Sequence, residues 1–336
     1  MAAGNRPTGS GEDRLIDRYF RPLAQHPGAF GLIDDAATYT PPPGQDLVLT
    51  VDAIVAGVHF FPDDPPDLVA RKALRVNLSD LAAKGATPAG FLLTTALPKG
   101  TGEAWLSDFA QGLAADIEEF DCPLFGGDTV STPGPITISV TAFGLLPEGT
   151  AVRRRGAKPG DVVVVSGAIG DAVLGLALRG RDVDAVEWPL DDDERLFLMH
   201  RYLLPQPRLE LAEIIRLSAS AAMDVSDGLA GDLAKLCAAS GVDAVIDLAA
   251  VPLSIAARIV LSARPSLIEK LISGGDDYEI LATVPADKFA ALQEKAKTIG
   301  VPITKIGEIK DGTGQARFLD PDGKVLDLAQ TSFSHF

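Results

Sequence analysis

Short runs of β-branched and aliphatic residues alternate along the chain with Ala/Leu-rich stretches whose apolar positions recur every three to four residues. The first pattern suits strands and the second suits helices with one buried face, so the chain reads as α/β or α+β. Strands are predicted over Leu47–Val51, Ile136–Phe143, Asp161–Ser166, Ala244–Asp247 and Tyr278–Thr283. Helices are predicted over Leu68–Lys84, Glu103–Phe120, Gly170–Arg179, Asp192–Tyr202, Leu209–Ser218, Gly228–Ser240 and Ala286–Ile299.

The stretch GLLPEGTAVRRRGAKPGD separates two apolar blocks, and its Pro, Gly and basic residues predict a linker near Thr150. The expected division is a mobile polar start over 1–10, an N-terminal domain over 11–149 and a C-terminal domain over 150–336. An apolar run followed by Gly-Gly-Asp occurs twice, in LFGGDT and in LISGGDDYE. Two matches this short are weak evidence for related halves.

Composition removes several function classes. The net charge of -16 argues against a general nucleic-acid or anionic-membrane binder, because both need a basic surface. A phosphorylated substrate stays open, since metal ions can sit between like charges. The two cysteines, Cys122 and Cys237, lack metal-ligand spacing, which speaks against a disulfide framework or zinc site and for a reducing, cytoplasmic setting. The opening residues lack the apolar segment of a secretory signal, and no apolar run approaches the ~18 residues of a membrane span.

The acidic residues carry the candidate chemistry. Asp52 interrupts the apolar run LVLTVDAIVAGVHF; if buried, it has to be paired, metal-bound or at an open strand end. Asn77 and Asp80 fall three apart on one helix face, which serves either a ligand or a neighbouring loop. Asp128 follows Gly126 and Gly127, where glycine permits close approach to a ligand or simply makes a turn. In AAMDVSDGLAGDL, Asp224, Ser226 and Asp227 precede a helix, so Asp227 is either an N-cap or part of an anion and metal site. Asp34 and Asp35 form a further acidic pair that a solvated turn would also explain. Carboxylates suit Mg²⁺, whose other ligands come from phosphates. Spacing alone does not show that these groups converge. No phosphate loop, dinucleotide fingerprint, H-E-x-x-H or nucleophile elbow is present, so a nucleotide enzyme here would use a less common cradle.

The segments VDAIVAGVHF, ALRVNLSDLAAKGATP, FGGDT, RRGAKPGD, DVSDGL, SGGDDYE and the terminal FSHF together resemble the thiamine-monophosphate kinases, over about Gly11 to Phe336. NLSDLAA and GGDT are shared with the wider superfamily of aminoimidazole ribonucleotide synthetase and selenophosphate synthetase. The resemblance implies two α/β domains, N-terminal sheets of two chains closing a shared barrel in a homodimer, and ATP with several Mg²⁺ ions in a cleft between domains. It implies metal ligation by Asp35, Thr50, Val51 (through its carbonyl), Asp52, Asp80, Asp128, Asp224 and Asp227. ATP contacts fall to Gly127, Asp128, Arg154 and Ser226, and thiamine-phosphate contacts to His59, Asp276 and Phe333. Asp128, Arg154 and Asp227 are the expected catalytic residues. Three positions depart from the family pattern: Ile33 replaces a usual Gly, Asp276 stands where Glu is common, and Ser334 where Asp is frequent.

The implied reaction is direct in-line transfer from ATP to the phosphate of thiamine monophosphate. That nucleophile is already anionic, so positioning and charge neutralisation suffice. A sister ATP-dependent enzyme of the superfamily and a non-catalytic thiamine-phosphate binding protein are the alternatives.

Overall fold

A computed structural model describes residues 11–328 and 332. The mobile start expected over 1–10 and the substrate contact expected of Phe333 lie outside the described residues. The chain forms two units. One takes the described residues up to Asn77 together with Pro88–Leu145; the other takes Leu78–Thr87 and the described residues from Leu146 onward.

The first unit carries a four-stranded sheet in the order β1-β4-β2-β3, with β1 Gln45–Val55, β2 Thr87–Pro98, β3 Leu124–Thr132 and β4 Thr137–Pro147. β2 and β3 run parallel, which sets Leu93 opposite Gly127 and Thr94 opposite Asp128. Helix Pro66–Lys84, up to Asn77, and helix Glu103–Phe120 belong to this unit. The second buries Leu106, Phe109, Ala110 and Leu113, the three-to-four spacing that predicted it, and stops where Asp121 turns left-handed. A buried ion cluster joins the two helices. Asp116, fully buried, accepts from Arg71 Nε at 2.6 Å and from Arg75 Nε and Nη2 at 2.7 and 2.9 Å.

The second unit is built on a six-stranded sheet in the order β10-β7-β9-β5-β8-β6. Its strands are β5 Val162–Ser166, β6 Ala221–Asp224, β7 Val242–Asp247, β8 Ile280–Val284, β9 Ile303–Asp311 and β10 Ala316–Leu319. Only the β10–β7 pair is parallel. The unbroken valine run of β5 reflects burial on both faces. Val163 and Val165 pack with Leu229, Leu233 and Ile246, while Val162 and Val164 pack with Ile215, Leu292 and Ala296. Helix Asp192–Leu203 opens with a capping box: Asp191 accepts from Glu194 N, and Glu194 accepts from Asp191 N.

Most expected boundaries shift by a few residues, and two of the shifts have a local cause. The strand predicted from Tyr278 begins at Ile280, because Asp276 and Tyr278 take positive φ of 73° and 52°. The helix predicted over Leu209–Ser218 opens as a 3₁₀ turn, Leu209–Leu211, before helix Ala212–Ser218.

Candidate active site

In the first unit a cavity of about 700 Å³ opens beside the sheet. This is the size range of small-molecule sites. Tyr39, Phe125 and Phe143 form one wall, with ring centroids 5.1–5.7 Å apart in edge-on contacts. Gly90 makes room for this wall, since a Cβ there would lie 2.4 Å from the Phe125 ring. The polar lining is acidic and brings together Asp34, Asp35, Gly127 and Asp128. Residues from three of the predicted positions, Asp35, Gly127 and Asp128, therefore meet at one cavity.

The reason for glycine at 127 is local. A Cβ would stand 1.7 Å from the Leu93 carbonyl oxygen, so β2 and β3 can pair in this register only with glycine there. Asp128 itself is a strand residue, not a turn residue, and is exposed. Ahead of it in sequence, Phe30, Gly31 and Leu32 adopt left-handed backbone, whereas Ile33 sits at φ -110°. That angle suits any L-residue, so the isoleucine in place of the usual glycine fits without strain. Asp35 N donates to Asp34 Oδ1 at 2.8 Å, which fixes the acidic pair as a local turn.

Thr50, Val51 and Asp52 lie on β1. Asp52 is exposed on that edge strand, so the burial that would force it to be paired does not arise. Its backbone N–H donates to Asn77 Oδ1 at 2.9 Å, while Asn77 Nδ2 donates back to Ala73 O. Buried Asn77 thus ties the strand to the helix through backbone, the structural use of that helix face. His59 Nδ1 accepts from Val55 N at 3.0 Å, which leaves Nε2 as its donor.

In the second unit Asp224 ends β6 buried and accepts from Ser79 Oγ at 2.7 Å. Burial first, and the charge of Asp80 second, push its carboxyl up to about 8. Lys84 donates to Ala222 O at 2.8 Å; burial lowers its pKa, with Asp224 and Asp80 opposing and Arg154 adding to the fall. Asp80, Asp224 and Arg154 are therefore each within electrostatic reach of Lys84.

Beyond β6, the helix Leu229–Ser240 has Gly228 at its N-cap and no side-chain cap, so the N-cap reading of Asp227 fails. Asp232, inside the helix, reaches back to the preceding loop, where its Oδ2 accepts from Ser226 N at 3.0 Å and Asp227 N at 2.9 Å. Lys235 Nζ bridges Asp227 Oδ2 and Asp232 Oδ1 at 2.5 and 2.8 Å. Asp276 N donates to Ser226 O at 2.9 Å, so the SGGDDYE and DVSDG segments meet. The sequence reading missed Ser79, Lys84, Asp232, Lys235, Asp277 and Glu279. For Asp232, Asp277 and Glu279 the signal was their place inside the two quoted acidic motifs.

Within either unit, and among the described residues, no three His, Cys, Asp or Glu side chains form a ready cage for a metal. The donor set still fits Mg²⁺, which binds through few carboxylates plus water and phosphate oxygens. The buried Asp224 carboxyl, crowded by Asp80, is the observation that calls for a cation.

A two-domain α/β chain with carboxylate-lined sites and no phosphate loop defines the class. Residues 33–146 match the N-terminal domain, and 158–320 the C-terminal domain, of the AIR synthase related proteins, and the chain belongs to that family. A thiamine-monophosphate kinase of Caulobacter vibrioides is 45% identical over 307 residues, covering 90% of this chain and 85% of that protein. The crystal structure of thiamine-monophosphate kinase from Stenotrophomonas maltophilia K279a superposes with a TM-score of 0.81 at 38% identity, covering 94% of this chain and 96% of that one. AaThiL complexed with AMPPCP and TMP gives 0.74 at 31% identity, covering 92% and 97%. Within the wider family, the chain is a member of the thiamine-monophosphate kinases.

Proposed function

We propose that the two carboxylate sites serve one reaction. The chain is a thiamine-phosphate kinase that transfers the terminal phosphate of ATP to thiamine monophosphate, giving thiamine diphosphate. Two observations support this: an aromatic-walled, acid-floored cavity in the first unit and, in the second, the buried Asp224 carboxyl with half-buried Asp80 beside it. The first suits a nucleotide ring with its phosphates; the second suits a divalent cation.

The residues that would hold Mg²⁺ are Asp35, Thr50, the Val51 carbonyl, Asp52, Asp80, Asp128, Asp224 and Asp227. Bound there, Mg²⁺ supplies charge neutralisation between anionic reactants. Gly127, Asp128, Arg154 and Ser226 are assigned to ATP, with Arg154, exposed in this structure, placed to meet transferring phosphate charge. His59, through Nε2–H, and Asp276 are assigned to thiamine monophosphate, together with Phe333. The phosphate of thiamine monophosphate attacks the γ-phosphorus in line. Being anionic already, it needs no strong protein base, and none of the buried carboxyls is required to take its proton.

A homodimer with a shared barrel is part of the same proposal, and the first sheet supports it. β1 is an edge strand, and Leu47, Leu49 and Val51 stand exposed along it at 42%, 64% and 60%. A long apolar edge of this kind calls for a second copy to cover it. No helix among the described residues is long and apolar enough to cross a membrane, and a cytoplasmic location is part of the same reading.

An ADP-release assay with a panel of acceptors tests the assignment. Release should need both Mg²⁺ and thiamine monophosphate, and thiamine should not substitute. Release driven by a sister-family substrate instead would overturn it.

A further inference from the structure

Asp276 and Tyr278 hold positive φ, a backbone that L-residues avoid because Cβ crowds the carbonyl oxygen. Such a turn persists only where its surroundings over-determine it. One buried carboxylate lies within it and another follows it directly. Asp277, 1% exposed, accepts from Gly170 N at 2.8 Å and Ala172 N at 3.3 Å, capping helix Asp171–Arg179, whose own N-cap glycine has no side chain to offer. Glu279, 0% exposed, accepts from Ser166 Oγ at 2.6 Å, Arg201 Nη2 at 2.9 Å and Arg208 Nε at 2.7 Å. Gly167 leaves room for it, since a Cβ would fall 2.1 Å from Glu279 Oε1.

The segment between these anchors is laced to the loop after β6. Val225 N donates to Glu279 O, Tyr278 N to Val225 O, and Asp276 N to Ser226 O, at 2.8, 2.8 and 2.9 Å. The two strips touch so closely that a Cβ on Gly275 would lie 2.2 Å from Ser226 O. Whatever fixes residues 277 and 279 therefore fixes Val225 and Ser226 as well. Both carboxylates are buried and committed to protein donors, so they act on the reaction only through other residues.

We propose that Asp277 and Glu279 are positioning residues. They lock the strained Asp276–Tyr278 turn and, through it, hold Val225–Asp227 in the register that phosphate transfer needs. The proposal rests on the kinase reading above.

The test uses Glu279→Gln and Asp277→Asn in the full chain, with Leu292→Ala as a core truncation on the far side of the sheet. Both positioning variants should lower kcat by about tenfold or more, the usual effect of losing a supporting partner. Amide exchange should accelerate at Val225, Asp276 and Tyr278 while the β5 amides stay protected. Leu292→Ala should lower Tm and keep both kcat and that local protection. If Glu279→Gln fails to fold, Asp277→Asn, which leaves both arginine pairs intact, decides by the same readouts. Positioning variants that lose Tm but keep kcat and the protection of Val225 and Tyr278 overturn the proposal. A wild-type chain inactive on thiamine monophosphate overturns the kinase reading, and the exchange data then still decide whether the anchors hold the loop.

Discussion

Replacing Asp224 by Asn removes a charge that the folded chain disfavours. Ser79 can still donate to the amide oxygen, and the side chain keeps its size, so packing is preserved. The Asp224 carboxyl is pushed from 3.8 up to about 8, first by burial and then by Asp80. A group whose folded pKa is raised favours the native state below its unfolded pKa, and that support is lost as pH rises through the folded value. For metal-free protein the wild type should lose stability between about pH 4 and pH 8, with a limiting slope near ~1.4 kcal/mol per pH unit. The total at alkaline pH is on the order of 5 kcal/mol. The Asn variant should not share that loss. Urea melts in chelator, at half-unit steps of pH, read the difference directly: near zero at pH 4, favouring the variant increasingly towards pH 8. Adding Mg²⁺ with ATP should reverse the order, because a ligand that binds the native wild type stabilises it by mass action. A difference independent of pH, or a variant that still gains stability from Mg²⁺ and ATP, would refute the reasoning.

Three further outcomes are expected. Asp116→Ala removes the buried carboxylate that takes two hydrogen bonds from the Arg75 guanidinium and leaves half-exposed Glu119 as its acidic neighbour, so the first unit should lose about 3–5 kcal/mol in urea denaturation; a loss typical of a surface site would contradict the ion cluster. Asp171, raised to about 6 mainly by burial and held by Ser254, should cost the wild type about 3 kcal/mol as pH rises from 4 through 6, and Asp171→Asn should flatten that limb of the stability profile. Leu49→Lys, on the apolar edge of β1, should shift sedimentation from dimer to monomer with little change in monomer stability; an unaltered mass would remove the edge from the interface.

The periodic parts of the chain were legible. The valine run of β5 reads as a strand buried on both faces, and the apolar stripe of helix Glu103–Phe120 gives its extent. The acidic motifs were also legible as motifs. Their surroundings were not. The apolar neighbours of Asp52 left its burial open, and it is exposed because β1 is an edge strand with an open face, which the pattern along one strand does not reveal. Tyr278 has the composition of a strand residue, but its left-handed backbone is imposed by contacts on either side. Glu279 meets Arg208 and Arg201 across 71 and 78 residues, and Asp224 meets Ser79 across 145. Pairings at such separations leave no periodic trace, so the groups supporting the site come together only in the folded chain.

The central claim is that this chain moves phosphate from ATP to thiamine monophosphate. Incubating purified protein with γ-labelled ATP, thiamine monophosphate and Mg²⁺, then separating the products, tests it directly. The account predicts label in thiamine diphosphate, equal in amount to the ADP formed and absent when Mg²⁺ is chelated. Label found only in inorganic phosphate, with no thiamine diphosphate, would contradict it.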